Sequence, residues 1–178
     1  MRGAAGQVAD VEQLYRRVSE SIGTQICYQI EGDRVVFLHA AFNDPAKCPS
    51  VDRAELAQLD PHRTRITSND GIVTLSAQAV RQRIGPIPKF NESGKRVKED
   101  YGVDVKSDPL FGNCAHALVE ITPPNASGGA FRKLKEGLAR LATEAGWTVK
   151  PKSPLPQRDN FLLGDAARCL IHRLQGRL

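Results

Sequence analysis

Cys114, His116 and Glu120 fall on alternate positions of the stretch Cys114-Ala-His-Ala-Leu-Val-Glu120, so in an extended chain a thiol, an imidazole and a carboxylate share one side. Histidine titrates near neutrality and can serve as a general base, and a cysteine can supply a thiolate. Ala115, Ala117, Val119 and Ile121 make the opposite side uniformly apolar, which assigns that side to the core and His116 to a second, mixed face. Residues two apart on a strand are separated by roughly 6.6 Å, too far for Cys114 and His116 to orient one another as nucleophile and base. Two readings of His116 stand at this point. In one it is a catalytic base with Asp108 or Glu120 as the orienting or acidic group; in the other it hydrogen-bonds a neighbour and serves structure.

Other chemistry is sparser. His62-Arg63-Thr64-Arg65 places two cations beside a hydroxyl, a set that can hold a phosphate, though a solvated loop after Asp60-Pro61 has the same composition. Cys169 and His172 have a ligand-like helical spacing, but no Cys-x-x-Cys accompanies them, and an isolated half-site does not define a metal centre. Phosphate loops, dinucleotide fingerprints, nucleophile elbows and His-Glu-x-x-His motifs are missing from the sequence, so no metal or cofactor is expected.

Charge points elsewhere. Residues 129–178 carry 10 Lys+Arg against 4 Asp+Glu, whereas residues 1–128 carry 15 against 16, so the whole excess behind the net charge of +5 sits in the last fifty residues. Arg132, Lys133, Lys135, Arg140, Arg168, Arg173 and Arg177, together with Arg63 and Arg65, are the candidate contacts to nucleic acid or to an acidic protein. No apolar run reaches the 18 or so residues that span a bilayer, and the first residues lack the apolar centre of a secretory signal. The expectation is a cytoplasmic protein without a membrane partner, its four cysteines reduced.

The elements that must position these groups read as an α+β fold: a mixed or antiparallel sheet of about four to six strands, with two or three amphipathic helices. Asp10, Val11, Leu14, Tyr15, Val18 and Ile22 have helical spacing, with Gln13 completing a capping box and Gly23 closing the helix. Residues 25–29 and 33–42 read as strands around Glu31-Gly32-Asp33, the second apolar on both faces, hence central, with His39 buried. Ser50 or Asp52 caps a short helix through Leu59, and residues 61–70 form a loop. Gly71–Leu75 is a strand that Ser76 joins to a helix over 77–84; residues 86–100 form a mobile loop. A strand over 101–106 and a turn over 108–113 precede the opening stretch. A long helix ends at Gly146 and Trp147–Lys150 is a short strand. Residues 1–150 are the core domain, and 151–178 are a linker and a basic C-terminal helix.

Ala40-Ala-Phe42, Pro49-Ser-Val-Asp-Arg-Ala54, Asp108-Pro-Leu110, Asn113 and Ala115-His-Ala-Leu-Val119 together resemble a recurring pattern of small bacterial proteins with no established activity. The resemblance spans about residues 36–121, with Gly71–Leu75 and Val80-Arg81 between its two main blocks. It departs at Leu38-His39, where small hydroxyl residues are expected, and at Cys114, where proline is expected. It implies a bacterial source and singles out Phe42, Ser50, Asp52, Asp108, Asn113 and His116. Three functional expectations result. The first is an accessory or binding protein of a bacterial system, engaging nucleic acid or an acidic protein through its basic C-terminal third. The second is a hydrolase or phosphotransfer-type enzyme using His116 as base, with Arg63 or Arg65 on an anionic substrate. The third is a structural subunit of a complex.

Overall fold

Five antiparallel strands form the central sheet of the computed structural model, which describes residues 8–152 apart from 45, 46 and 92. In chain order the strands and helices are β1 (Gln13–Val18), β2 (Ser21–Ile22), β3 (Gln25–Ile26), β4 (Tyr28–Glu31), β5 (Arg34–Phe37), β6 (Ser50–Arg53), β7 (Gly71–Ser76), α1 (Ala77–Ile84), β8 (Gly102–Ser107), β9 (His116–Thr122) and α2 (Gly128–Ala145). The sheet order is β7-β1-β6-β9-β8, while β2-β3 and β4-β5 form separate two-stranded ribbons. The fold is α+β.

One sheet face carries Leu14, Val18, Val51, Val73, Leu75, Val105, Ala117 and Val119 into the main core, where α1 and α2 meet it through Val80, Leu134, Leu138 and Ala142. Local signals set both helices. Ser76 accepts from the Ala79 amide at the start of α1, and Ser127 does the same from Ala130 at the start of α2. Gly146, at φ +70°, ends α2 in a conformation that disfavours other residues. Gly137 lets the helices approach, since an added Cβ would lie 2.8 Å from Ile84 Cγ2.

The opposite face holds a smaller cluster of Tyr15, Ala54, Ala57, Ile72 and Ala115. Register aligns Thr74, Tyr15, Asp52 and His116 across β7, β1, β6 and β9. Strand alternation then keeps that row on the non-helical face, with Ala117, Val119 and Ile121 toward the core as expected. Ala115 departs from this alternation: it precedes β9 and packs in the smaller cluster.

Several expectations are corrected. The helix over 10–22 is instead β1 followed by the β2-β3 ribbon. Leu14 and Val18, four residues apart, share a face under either periodicity, so their spacing does not discriminate between helix and strand. Arg16 decides. A helix would turn it to solvent, but in β1 it is buried against partners 25 to 34 residues away. Asp10 does not cap a helix; its carboxylate pairs with Arg81 of α1 at 2.5 Å.

The expected central strand over 35–42 stops at Phe37, because β5 pairs only with β4 and packs on α2, where the Phe37 amide donates to Thr143 Oγ1 at 2.9 Å. Residues 39–42 form a 3-10 turn that buries Ala40, Ala41 and Phe42 and leaves His39 exposed. The helix expected after Ser50 is replaced by β6, whose two-sided pairing with β1 and β9 satisfies its backbone; turns follow it to residue 59.

Other elements match. The β4-β5 hairpin turns at Gly32, Val149 bridges to Ile72, and Cys27, Cys48 and Cys114 are free thiols. Among the described residues no helix is long and apolar enough to cross a membrane. The expected terminal helix, with Arg168, Cys169, His172, Arg173 and Arg177, lies outside the described residues.

Candidate functional site

Beyond the row Tyr15–Asp52–His116, the sheet opens into a pocket of about 410 Å³. Four distant segments line it: the chain from Tyr15 of β1 to Ile22 of β2, the chain from Ala41 through β6, residues 63–66, and the turn from Leu110 to His116. The lining holds Arg16, Arg17, Arg63 and Arg65 with Asp44 and Asp52; Arg16 pairs with Asp44 and Arg17 with Asp70, which leaves Arg63 and Arg65 against Asp52. A concave site with that positive excess concentrates anions.

His116 is held in a defined state. Its Nδ1 lies 2.7 Å from the Asp108 carbonyl oxygen. A carbonyl can only accept, so in the neutral ring Nδ1 carries the proton and Nε2 keeps its lone pair. The Asp108 carboxylate stands 3.4 Å from the same nitrogen and is half-exposed, whereas the imidazole is only 14% exposed. Asp108 therefore orients the ring through its main chain as well as its side chain. The His116 carbonyl accepts from the Asp108 amide at 3.0 Å, which locks the two residues together at the end of the β8-β9 ladder.

Asp52 is the other acidic group beside the imidazole. Side chains directly opposite on paired strands place their Cβ atoms about 5 Å apart, and Asp52 is the β6 partner of His116. The Asp52 carboxylate accepts from Asn113 Nδ2 at 2.9 Å, and Asn113 Oδ1 accepts from the Ala115 amide at 3.1 Å. Tyr15 completes the row; burial and nearby Asp60 push its pKa up, so its hydroxyl stays protonated at neutral pH.

Arg16 forms the floor. Its guanidinium donates to Asp44 (2.7 Å), to the Ser50 carbonyl (2.7 Å) and hydroxyl (3.0 Å), and to the Ala41 carbonyl (2.7 Å), with the Phe42 ring centroid 5.5 Å away. These bonds saturate the group and tie Ser50 to Asp44, whose carboxylate also accepts from the Ser50 amide at 2.7 Å. Arg16 is an anchor.

The rim is different. Arg63 is exposed, and the Arg65 Nη2 bonds the Ser68 carbonyl. Thr64 Oγ1 and Arg65 Nε are buried without a hydrogen-bond partner among the described residues. Each unpartnered donor costs stability, and both residues belong to the pocket lining.

Of the residues expected at a site, His116, Arg63 and Arg65 thus line one pocket with Ser50, Asp52 and Asn113, and Asp108 braces the histidine. Glu120 lies four residues along β9, roughly 13 Å away by strand rise, and pairs with Lys106 at 2.7 Å. Cys114 is exposed and not part of the lining. Arg132, Lys133, Lys135 and Arg140 belong to α2, on the opposite side of the sheet; Lys135 bonds Asn43 and Arg132 bonds Glu136. Sequence reasoning missed Tyr15, Arg16, Arg17 and Asp44. A trace was present, in that two arginines interrupt an otherwise apolar segment at 14–18. Among the described residues no cluster of three or more His, Cys, Asp or Glu could hold a metal ion.

No family model, no curated protein and no solved structure matches the chain.

Proposed function

We propose that the pocket binds a phosphate-bearing substrate and that the protein is a hydrolase or phosphotransfer-type enzyme with His116 as general base. One observation carries the reading: an imidazole with its Nε2 lone pair free shares a cationic pocket with Thr64 and Arg65, whose buried donors lack partners. In this scheme Nε2 takes the proton of the attacking hydroxyl or water, while the Asp108 carbonyl and the adjacent Asp52 carboxylate favour the imidazolium that results. Arg65, Arg63 and the Thr64 hydroxyl meet the charge that grows on the phosphoryl oxygens. In the same scheme Tyr15, whose hydroxyl stays protonated, donates to the leaving oxygen.

The test uses 4-nitrophenyl phosphate and bis(4-nitrophenyl) phosphate, with inorganic phosphate as a competitor. His116→Ala should lower kcat by about 10²- to 10⁴-fold, as loss of a general base does, in a protein that still melts cooperatively. Arg65→Ala should raise KM. No turnover of either ester, together with no phosphate effect on the melting temperature, refutes the reading. A His116→Ala chain that does not fold assigns the histidine to structure instead.

A second reading draws on the charge asymmetry. Exposed Arg132, Lys133 and Arg140 lie on the outer side of α2, within the basic last fifty residues. Here the protein is an accessory factor of a bacterial system that engages nucleic acid or an acidic protein. Retention on DNA or RNA that weakens steeply with salt and disappears on deleting 153–178 supports it; retention unchanged by the deletion rejects it.

A further inference from the structure

Phe111 is the most exposed large apolar side chain among the described residues, yet it stands on a tightly built turn. The Leu110 amide donates to the Asn113 carbonyl and the Asn113 amide donates back to Leu110, both at 3.0 Å. Between them Gly112 adopts φ +83°, a region other residues rarely enter. Asn113 is further pinned by its side-chain bonds to Asp52 and the Ala115 amide. The exposed phenyl ring is therefore carried on a backbone that is held in place, in a turn whose two flanking residues, Leu110 and Asn113, line the cationic pocket. Half-exposed Leu110 and exposed Ile66 and Ile22 continue an apolar rim around the same opening.

A cationic pocket takes phosphate, and a flat apolar ring at its lip takes a flat apolar partner. Nucleotides carry both on one repeating unit. In a duplex the faces of the bases are already covered by their neighbours, so an aromatic platform selects unpaired bases. We infer that the substrate of the pocket is a single-stranded nucleic acid, its phosphate among Thr64, Arg63 and Arg65 and a base stacked on Phe111. This rests on the reading of the pocket as a phosphate site and names the substrate class.

Fluorescence anisotropy of the full chain with labelled ten-nucleotide single strands of RNA and DNA, and with the corresponding duplexes, tests it. At least one single strand should bind tenfold or more tighter than its duplex. Phe111→Ala should weaken that binding about 5- to 100-fold, the loss expected for one stacked base, and Phe111→Trp should retain it. The exposed position makes folding of both variants straightforward to confirm by thermal melting. Equal binding of single strand and duplex, no effect of Phe111→Ala, or preference for a phosphoserine peptide overturns the inference. Turnover of the small esters without single-strand preference would sink this inference and leave the proposed activity standing. Phe111-dependent single-strand binding without His116-dependent turnover would do the reverse.

Discussion

Two regions of the molecule solve the burial problem in opposite ways. Under α1 and α2 the contacts are hydrocarbon: Leu134, Leu138, Val105 and Val119 are fully buried, and the only demand is volume. Along β1 and its flanks, charge is buried with its partners instead, as with Arg16, which shares the Leu14 and Val18 face, and with Glu12 and Asp70. Glu12 is bidentate with Arg53 at 2.7 and 2.8 Å, and Asp70 accepts from Ser19, Thr67 and Ile66. A hydrocarbon face tolerates repacking, whereas a buried ion fixes the direction of every group around it. That difference explains why the pocket, built from irregular chain, keeps a defined shape: Arg16 and Asp44 tie three segments to β1, and Asp52 and Asn113 tie the 110–113 turn to β6.

The comparison can be broken most severely at its hydrocarbon side. Leu138→Ala should lower stability by about 2–5 kcal/mol, the usual loss for a buried leucine, read as a fall in the urea midpoint. Gly71→Ala belongs to the same class, because the new methyl would overlap the Trp147 ring. On the polar side, Arg16→Met should cost about 3 kcal/mol, as removal of one partner from a buried ion pair does, since Asp44 and the Ala41 carbonyl lose their donor. A destabilisation well under 1 kcal/mol would show that the pocket floor is solvated and the contrast overstated.

A pH series sharpens the same point. Burial works against ionisation of Glu12, but the Arg53 guanidinium and the Ala9 amide outweigh it, so its pKa is held below the ordinary 4.5. Asp70 is depressed in the same way: burial opposes, and the Thr67 amide, the Ser19 hydroxyl and Arg17 prevail. A carboxylate with a lowered folded pKa contributes stability above its unfolded pKa and loses it as the pH falls through the folded value. The urea midpoint should therefore drop on acidification below about pH 4.5, and Glu12→Gln should flatten that drop; an unchanged slope rejects the assignment. Cys27 gives a smaller effect. Burial pushes its thiol to about 11, so it should stay unreactive toward a thiol reagent at pH 8 while exposed Cys114 reacts, a difference countable by mass spectrometry. Least of all, breaking the exposed Arg132–Glu136 pair should leave the melting temperature within error.

Local signals determined much of this molecule from sequence alone. Ser76 leads into α1, Gly146 stops α2, Gly32 turns the β4-β5 hairpin, and alternation in residues 116–122 assigns His116 to the face away from the helices. Each of these is decided within a few residues, by caps, turns and side-chain period. What only tertiary structure decided is β1, β6 and the pocket. A spacing of four fits helix and strand alike, so Leu14 and Val18 left the conformation of β1 open until Val73 and Asp52 paired beside it. The pocket gathers residues from positions 15 to 116. Arg16 finds Asp44 and Ser50, and His116 finds the Asp108 carbonyl, only after the strands set their register. Register is a property of neighbouring strands, and no single stretch of chain carries it.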